Sequence, residues 1–165
     1  MKIAFCGAHG VGKSTLLQHE FWKNSSFINY KVIESYSRNH SKGWIDKRRQ
    51  FQVNTRYILS HIYNTNFISA RSIFDPWAYS RLNINLDFNF QLFNLAVKFI
   101  NYDFLFYIPI EFDIYDDGVR PQDKDFQRAI DIEISNLLRF YHIPYHIITG
   151  GVDCRIGMIR DIMSV

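Results

Sequence analysis

Near the start of the chain, Gly7-Ala8-His9-Gly10-Val11-Gly12-Lys13-Ser14 satisfies the pattern G-x-x-x-x-G-K-[ST] in full. Glycines at these spacings let backbone N–H groups turn inward around an anion, at the positive end of a following helix. Lys13 is then placed to reach the β- and γ-phosphates of a nucleoside triphosphate, and the Ser14 hydroxyl to ligate an accompanying Mg²⁺. At average residue usage a chance match in a chain this long is roughly a 1% event. The pattern predicts a phosphate cradle made by Gly7, His9, Gly10, Val11, Gly12, Lys13, Ser14 and Thr15.

Such a cradle works only between a strand and a helix, and the flanking residues supply both. Lys2–Cys6 is a short apolar run, and a helical stretch follows from Gly12 to about Phe21. The same alternation continues along the chain. Strands are predicted at Tyr30–Glu34, Asn66–Ala70, Asp103–Pro109 and Tyr145–Thr149, with helices at Trp44–Tyr63, Asp87–Asn101, Phe126–Tyr141 and Val152–Met163. A further helix starts at Pro76, with Asp75 as its N-cap. The nearly unbroken apolar run Phe104–Ile108 fits a central parallel strand covered on both faces. Strand–helix alternation implies right-handed crossovers and an α/β sandwich with helices on both faces of a parallel sheet.

Composition narrows the function classes. The chain has 165 residues, 47% hydrophobic and 21% charged, the profile of one globular domain spanning 1–165. No apolar run approaches the ~20 residues of a membrane span, so no membrane partner and a cytoplasmic location are expected. The net charge of +3 suits an anionic ligand but is short of the clustered excess of a nucleic-acid groove. Lys47-Arg48-Arg49 reads as one solvated helical face. Cys6 and Cys154 lack CxxC spacing and read as buried thiols rather than a metal or redox pair. His142 and His146 are separated by Pro144, which breaks the helix that would align them.

At this length there is no room for an AAA+ lid domain or a helicase core. GTPase signatures are also missing, with no D-x-x-G after the third strand and no later N-K-x-D. The polar loop Glu111–Asp123 carries Arg120, and Arg128 lies in the next helix. Arginines so placed resemble a lid, about 111–128, that closes guanidinium groups over a transferring phosphoryl group.

The chain resembles P-loop nucleoside and nucleotide kinases of the thymidylate-kinase and ribosylnicotinamide-kinase type, including small kinase-like ATPases often found in bacteriophages. The matching pieces are Gly7–Thr15, Glu34-Ser-Tyr-Ser-Arg38, Gln52, Arg71-Ser72 with Asp75 and Ala78-Tyr79, Asp117-Gly118-Val119-Arg120 with Asp123 and Phe126, and Gly150 with Arg155. The resemblance implies a five-stranded parallel sheet of order 2-3-1-4-5, with ATP and an acceptor facing each other across the strand ends.

It also implies roles. Lys13, Arg71, Arg120 and Arg128 would neutralise charge during transfer, and Glu34 would take the acceptor's proton or bind its sugar. Glu34, Arg38, Gln52, Arg71 and Asp75 would hold the acceptor, Gln52 by reading a base edge. Arg155 would stack on adenine. Trp44, Phe51, Tyr57, Trp77 and Tyr79 offer rings for base stacking or for the core. One position departs from the pattern: Ala70 stands before Arg71 where the family usually has Asp or Glu. An alanine can neither take a proton nor order a metal-bound water, so that role is lost or has moved to Glu34 or Asp75.

The expected activity is transfer of the γ-phosphoryl of ATP to a small nucleotide, foremost a (deoxy)nucleoside monophosphate. A nucleoside or ribosylnicotinamide-type acceptor is the first alternative, and a slow or non-catalytic ATP-binding module the second. ATP and Mg²⁺ are the expected cofactors, and a homodimer through the aromatic Asp87–Asn101 segment is an open arrangement.

Overall fold

The computed structural model of the chain describes residues 1–36, 47–84, 90–113 and 123–165. Five strands form one parallel sheet: β1 Lys2–Cys6, β2 Lys31–Ile33, β3 Phe67–Ser69, β4 Phe104–Tyr107 and β5 His146–Ile147. Their order is β2-β3-β1-β4-β5, as the resemblance implied. β1 lies at the centre, with Ala4 opposite Ser69 on β3 and opposite Leu105 on β4. Covered on both faces, Ile3, Ala4, Phe5 and Cys6 have no exposed surface. The edge strands are shorter than predicted, three residues in β2 and two in β5. Short edges limit pairing with other chains.

Six α-helices occur among the described residues: α1 Lys13–Leu17, α2 Lys47–Tyr63, α3 Phe74–Ile84, α4 Phe90–Phe99, α5 Lys124–Phe140 and α6 Val152–Met163. α1 packs on α6, while α2 packs on α3 and α4, and α3 on α5. α1 ends at Leu17, not near Phe21. His19 is extended there, and its ring accepts from the Phe21 N–H at 3.1 Å. Trp22 Nε1 then donates to the Leu16 carbonyl at 2.8 Å, satisfying a helix-end acceptor. Phe21, Trp22 and Phe27 form an edge-on aromatic nest against Phe5.

α3 starts at Phe74, so Asp75 is not its N-cap. Ser72 caps instead: its hydroxyl accepts from the Phe74 N–H at 3.2 Å, and Asp75 reaches back to the Ser72 N–H at 3.0 Å. That reciprocal pairing is a capping box. α5 begins two residues earlier than predicted because Asp123 accepts from the N–H groups of Asp125 and Phe126, both at 3.0 Å.

On α4, Phe93 and Ala96 are buried while Phe90, Leu95 and Phe99 are exposed. Of the two cysteines Cys6 is buried, and burial pushes its thiol pKa well up. Cys154 is exposed in the first turn of α6, contrary to expectation. No helix among the described residues is long and apolar enough to cross a membrane.

Candidate active site

The phosphate loop leaves the carboxyl end of β1 with Gly7, Gly10 and Gly12 at positive φ. At Gly7 the fit is closest, since a Cβ there would lie 2.4 Å from the Ile108 carbonyl oxygen. Gly12, at φ 92°, would set a Cβ 3.1 Å from Arg155 Nη1. Lys13 is 7% exposed, and its Nζ donates to the carbonyls of Gly7, at 2.6 Å, and Ala8. Ser14 is half-buried and Thr15 exposed.

Two distant elements fasten the loop, and of the side chains they use only Arg155 was singled out from the sequence. From α5, Gln127 Nε2 donates to the His9 carbonyl at 2.7 Å, and burial pushes the Asp131 pKa up against the pull of Tyr107, the Ala8 backbone and Lys13. Gln127 and Asp131 stand four residues apart, on one face of the helix. From α6, Arg155 Nη1 donates to the Val11 carbonyl at 2.7 Å while Nη2 pairs with Glu111 at 2.7 Å. Glu111 also accepts from the Gly150 N–H, so one carboxylate ties the end of β4 to the β5–α6 turn. Arg155 is 3% exposed, and its guanidinium stands over the Phe112 ring at 5.8 Å. It braces the loop from within.

The carboxyl end of β3 faces this loop. Asp75 is fully buried, and its Oδ1 lies 3.7 Å from Lys13 Nζ. Its Oδ2 accepts from the Ser72 N–H and hydroxyl, at 3.0 and 2.7 Å. Burial pushes its pKa up, against the pull of Lys13, Arg71 and Ser72. Arg71 is half-buried, its guanidinium 5.3 Å above the Tyr79 ring. Tyr79 in turn bonds His9 Nδ1 at 2.8 Å, so His9, Tyr79 and Arg71 bridge the loop to the β3 end. Burial works against the Arg71 charge, but Tyr79, Tyr57 and Asp75 outweigh it and Arg71 remains a cation.

Beneath Arg71 runs a chain of buried polar groups. The Ile73 N–H donates to Tyr102 Oη at 3.0 Å, and Tyr102 Oη meets His61 Nδ1 at 2.7 Å. His61 Nε2 meets Ser69 Oγ at 3.0 Å, and Ser69 Oγ donates to the Arg71 carbonyl at 2.6 Å. Every proton is placed if Tyr102 donates to Nδ1 and a neutral His61 donates from Nε2. Burial, reinforced by Lys2, pushes the His61 pKa down to about 3, which keeps it neutral. The chain therefore grips residues 69–73 at both ends.

The remaining expected residues are more dispersed. Glu34 is exposed just beyond β2. Gln52 is exposed on α2, whereas its neighbours Gln50 and Asn54 are buried. Gln50 donates to the Pro76 carbonyl at 3.0 Å, and Asn54 bonds Ser80 at 2.7 Å, joining α2 to α3. Arg128 is exposed on α5, 3.7 Å from Asp125. Tyr57 and Trp77 belong to the core, Trp77 stacked on Phe93 at 4.5 Å. Arg38, Trp44 and Arg120, with residues 114–122 of the expected lid, lie outside the described residues.

The donor set fits a magnesium nucleotide. Mg²⁺ keeps most of its waters and needs only one or two protein oxygens beside the phosphates; the Ser14 hydroxyl is such an oxygen, and the buried Asp75 Oδ1 has no hydrogen-bond partner among the described residues. No three of His, Cys, Asp and Glu cluster as a metal site among the described residues.

Fold and loop together define a P-loop nucleotide-binding sandwich. The chain belongs to a family described as an AAA domain, whose profile matches residues 2–155, from β1 into α6. No curated protein matches the chain. Among solved structures it is similar to deoxyadenosine kinase from M. mycoides, with TM-score 0.70, 18% identity, and 99% of this chain and 98% of that one covered. It is also similar to the NadR protein in complex with NR, with TM-score 0.73 and 15% identity, covering 99% of this chain and 51% of that one. Thymidylate kinase from Ehrlichia chaffeensis gives TM-score 0.65 at 13% identity, with 98% of both chains covered. The fold is thus that of the P-loop nucleoside and nucleotide kinases.

Proposed function

We propose that the chain transfers the γ-phosphoryl group of ATP to a small nucleotide, foremost a (deoxy)nucleoside monophosphate. The observation that carries this reading is the meeting of the phosphate-loop Lys13 with Asp75 and Arg71 at the carboxyl ends of β1 and β3. In open α/β sheets this is where ligands bind. The expected ATP contacts are the loop from Gly7 to Thr15, with Arg155 supporting it.

Ser14 is the residue that would hold Mg²⁺, which would supply charge neutralisation to the phosphates. The chain's own residues do the rest. Lys13 leaves the Gly7 and Ala8 carbonyls for the phosphate oxygens, and Arg71, Arg120 and Arg128 balance the charge that spreads over the transferring group. An acceptor oxygen attacks the γ-phosphorus, the bond to the β–γ bridging oxygen breaks, and ADP leaves. A monophosphate acceptor arrives already deprotonated and needs cations, which Arg71 and Arg38 supply. Gln52 would hold its base and Glu34 its sugar.

A nucleoside acceptor, as in a ribosylnicotinamide-type kinase, instead needs a base for its 5′-hydroxyl proton. The exposed position of Glu34 at the end of β2 favours this second reading. The third, a slow ATP-binding module, draws on the buried Ala70 at the strand end. Coupled ADP release with Mg-ATP, against nucleosides and ribo- and deoxynucleoside monophosphates, separates the three. Release that depends on one acceptor class and vanishes in Lys13→Ala supports transfer and names the class. Tight ATP binding with no acceptor effect overturns it in favour of a binding module.

A further inference from the structure

We propose that Asp75 supplies the carboxylate that the end of β3 lacks at Ala70, orienting a water of the nucleotide-bound Mg²⁺ through its Oδ1. The inference rests on the ATP-binding part of the proposed function. Ala70 is 1% exposed, and its N–H is tied to the Ile33 carbonyl at 2.9 Å, so its methyl offers the site nothing polar. Asp75 lies one turn further on, and its two oxygens are treated unequally. Oδ2 takes both donors of Ser72. Oδ1 is buried and has no hydrogen-bond partner among the described residues.

A buried carboxylate oxygen without a donor is costly, and such atoms in native sites commonly mark an absent water or ion. Lys13 balances the charge at 3.7 Å, beyond hydrogen-bond distance, while its Nζ donates to the Gly7 and Ala8 carbonyls. Oδ1 therefore keeps an open lone pair beside the phosphate-binding lysine. A hydrated Mg²⁺ presents O–H donors and positive charge there, and a carboxylate held rigidly by Ser72 fixes their direction. The capping box thus has a second use. It spends one oxygen on the helix and aims the other at the nucleotide.

Binding of a fluorescent ATP analogue, titrated with Mg²⁺ and repeated in EDTA, tests this without any acceptor. Loss of an outer-sphere partner typically costs about 10- to 100-fold in metal affinity. Asp75→Asn, which keeps an acceptor for Ser72, is expected to raise the half-saturating Mg²⁺ about tenfold or more while affinity in EDTA stays within about twofold. Adding Ala70→Asp should restore the Mg²⁺ response, and Ala70→Asp alone should lower the Mg²⁺ needed. An unchanged half-saturation in Asp75→Asn overturns the proposal, and a raised acceptor KM in that variant would make Asp75 an acceptor ligand instead. If Asp75→Asn does not fold, Ala70→Asp alone decides, and no change in its Mg²⁺ response overturns the proposal. A wild-type chain that binds nucleotide with a Mg²⁺ response but transfers nothing leaves this inference standing and removes only the kinase activity. A wild-type chain that binds no nucleotide removes both.

Discussion

The phosphate loop and the end of β3 face each other across the same cleft but are built by opposite means. The loop is made of backbone: glycines at positive φ, inward carbonyls, and a Gly7 that no side chain can replace. The β3 end is made of side chains drawn from α2, β3, the approach to β4 and α3, with Tyr102, His61 and Ser69 holding the backbone of residues 69–73. A backbone site needs particular residues at fixed spacing and so leaves a motif. A site held from beneath needs only that distant side chains meet, which leaves none.

The sharpest break falls on the loop. Lys13→Ala is expected to lower turnover by about a thousandfold or more, since phosphoryl transfer is chiefly positioning and charge. Lys13 is buried and faces Asp75, so its removal should also lower the melting temperature, and a turnover loss that persists well below the melt separates this residue from those that follow. At the β3 end stability is the larger loss. His61→Leu strands Tyr102 and Ser69 in the core and should cost about 3 kcal/mol by denaturant unfolding. Its kcat/KM should fall because residues 69–73 lose their hold on Arg71, and a stable His61→Leu with unaltered kinetics would sink that positioning role.

Arg155→Met tests whether the loop is self-supporting. Losing two hydrogen bonds from a buried guanidinium should cost about 2 kcal/mol. If Arg155 braces Val11, nucleotide affinity in equilibrium binding should fall with it, while the acceptor KM stays put. A gentler probe uses acid. His61 has a folded pKa near 3 against an ordinary 6.5. The unfolded chain therefore binds the extra proton between these values, and stability is complete above pH 6.5 and declines as pH falls toward 3. The slope from this one group is about 1.4 kcal/mol per pH unit. His61→Gln should remove that part of the slope in urea melts, and an unchanged slope would place the acid sensitivity elsewhere. Arg128→Ala marks the lower limit. Its pair with Asp125 is exposed, so melting should not shift, and any loss of rate reports on chemistry alone.

This division explains what the sequence could disclose. The central strands and the loop were legible because β1 and β4 are continuous apolar runs and the loop glycines stand at fixed spacing, whereas the strand order followed from the family resemblance. α2 was legible as a helix, but its inward face hides polar groups. Gln50, Asn54, Tyr57 and His61 recur at helical spacing, and a search for apolar periodicity passes over three of them. Gln52 was singled out by the family resemblance, and nothing in the pattern pointed to the buried Gln50. Glu111 and Arg155 are 44 residues apart in sequence, and only the sheet brings them together. Asp75 was noticed, both as an acceptor ligand and as the cap of its own helix. Ser72 supplies that cap, leaving an Asp75 oxygen facing Lys13.

The contrast between the two cysteines has a practical consequence. Cys6 is sealed in the central strand, whereas Cys154 is exposed beside Gly150, whose added Cβ would lie 3.2 Å from its Sγ. A maleimide dye added to the native chain would therefore attach at one place, next to the arginine that braces the phosphate loop. The protein comes with its own labelling handle. Nucleotide occupancy could be followed as an emission change in real time, without introducing or removing a single residue.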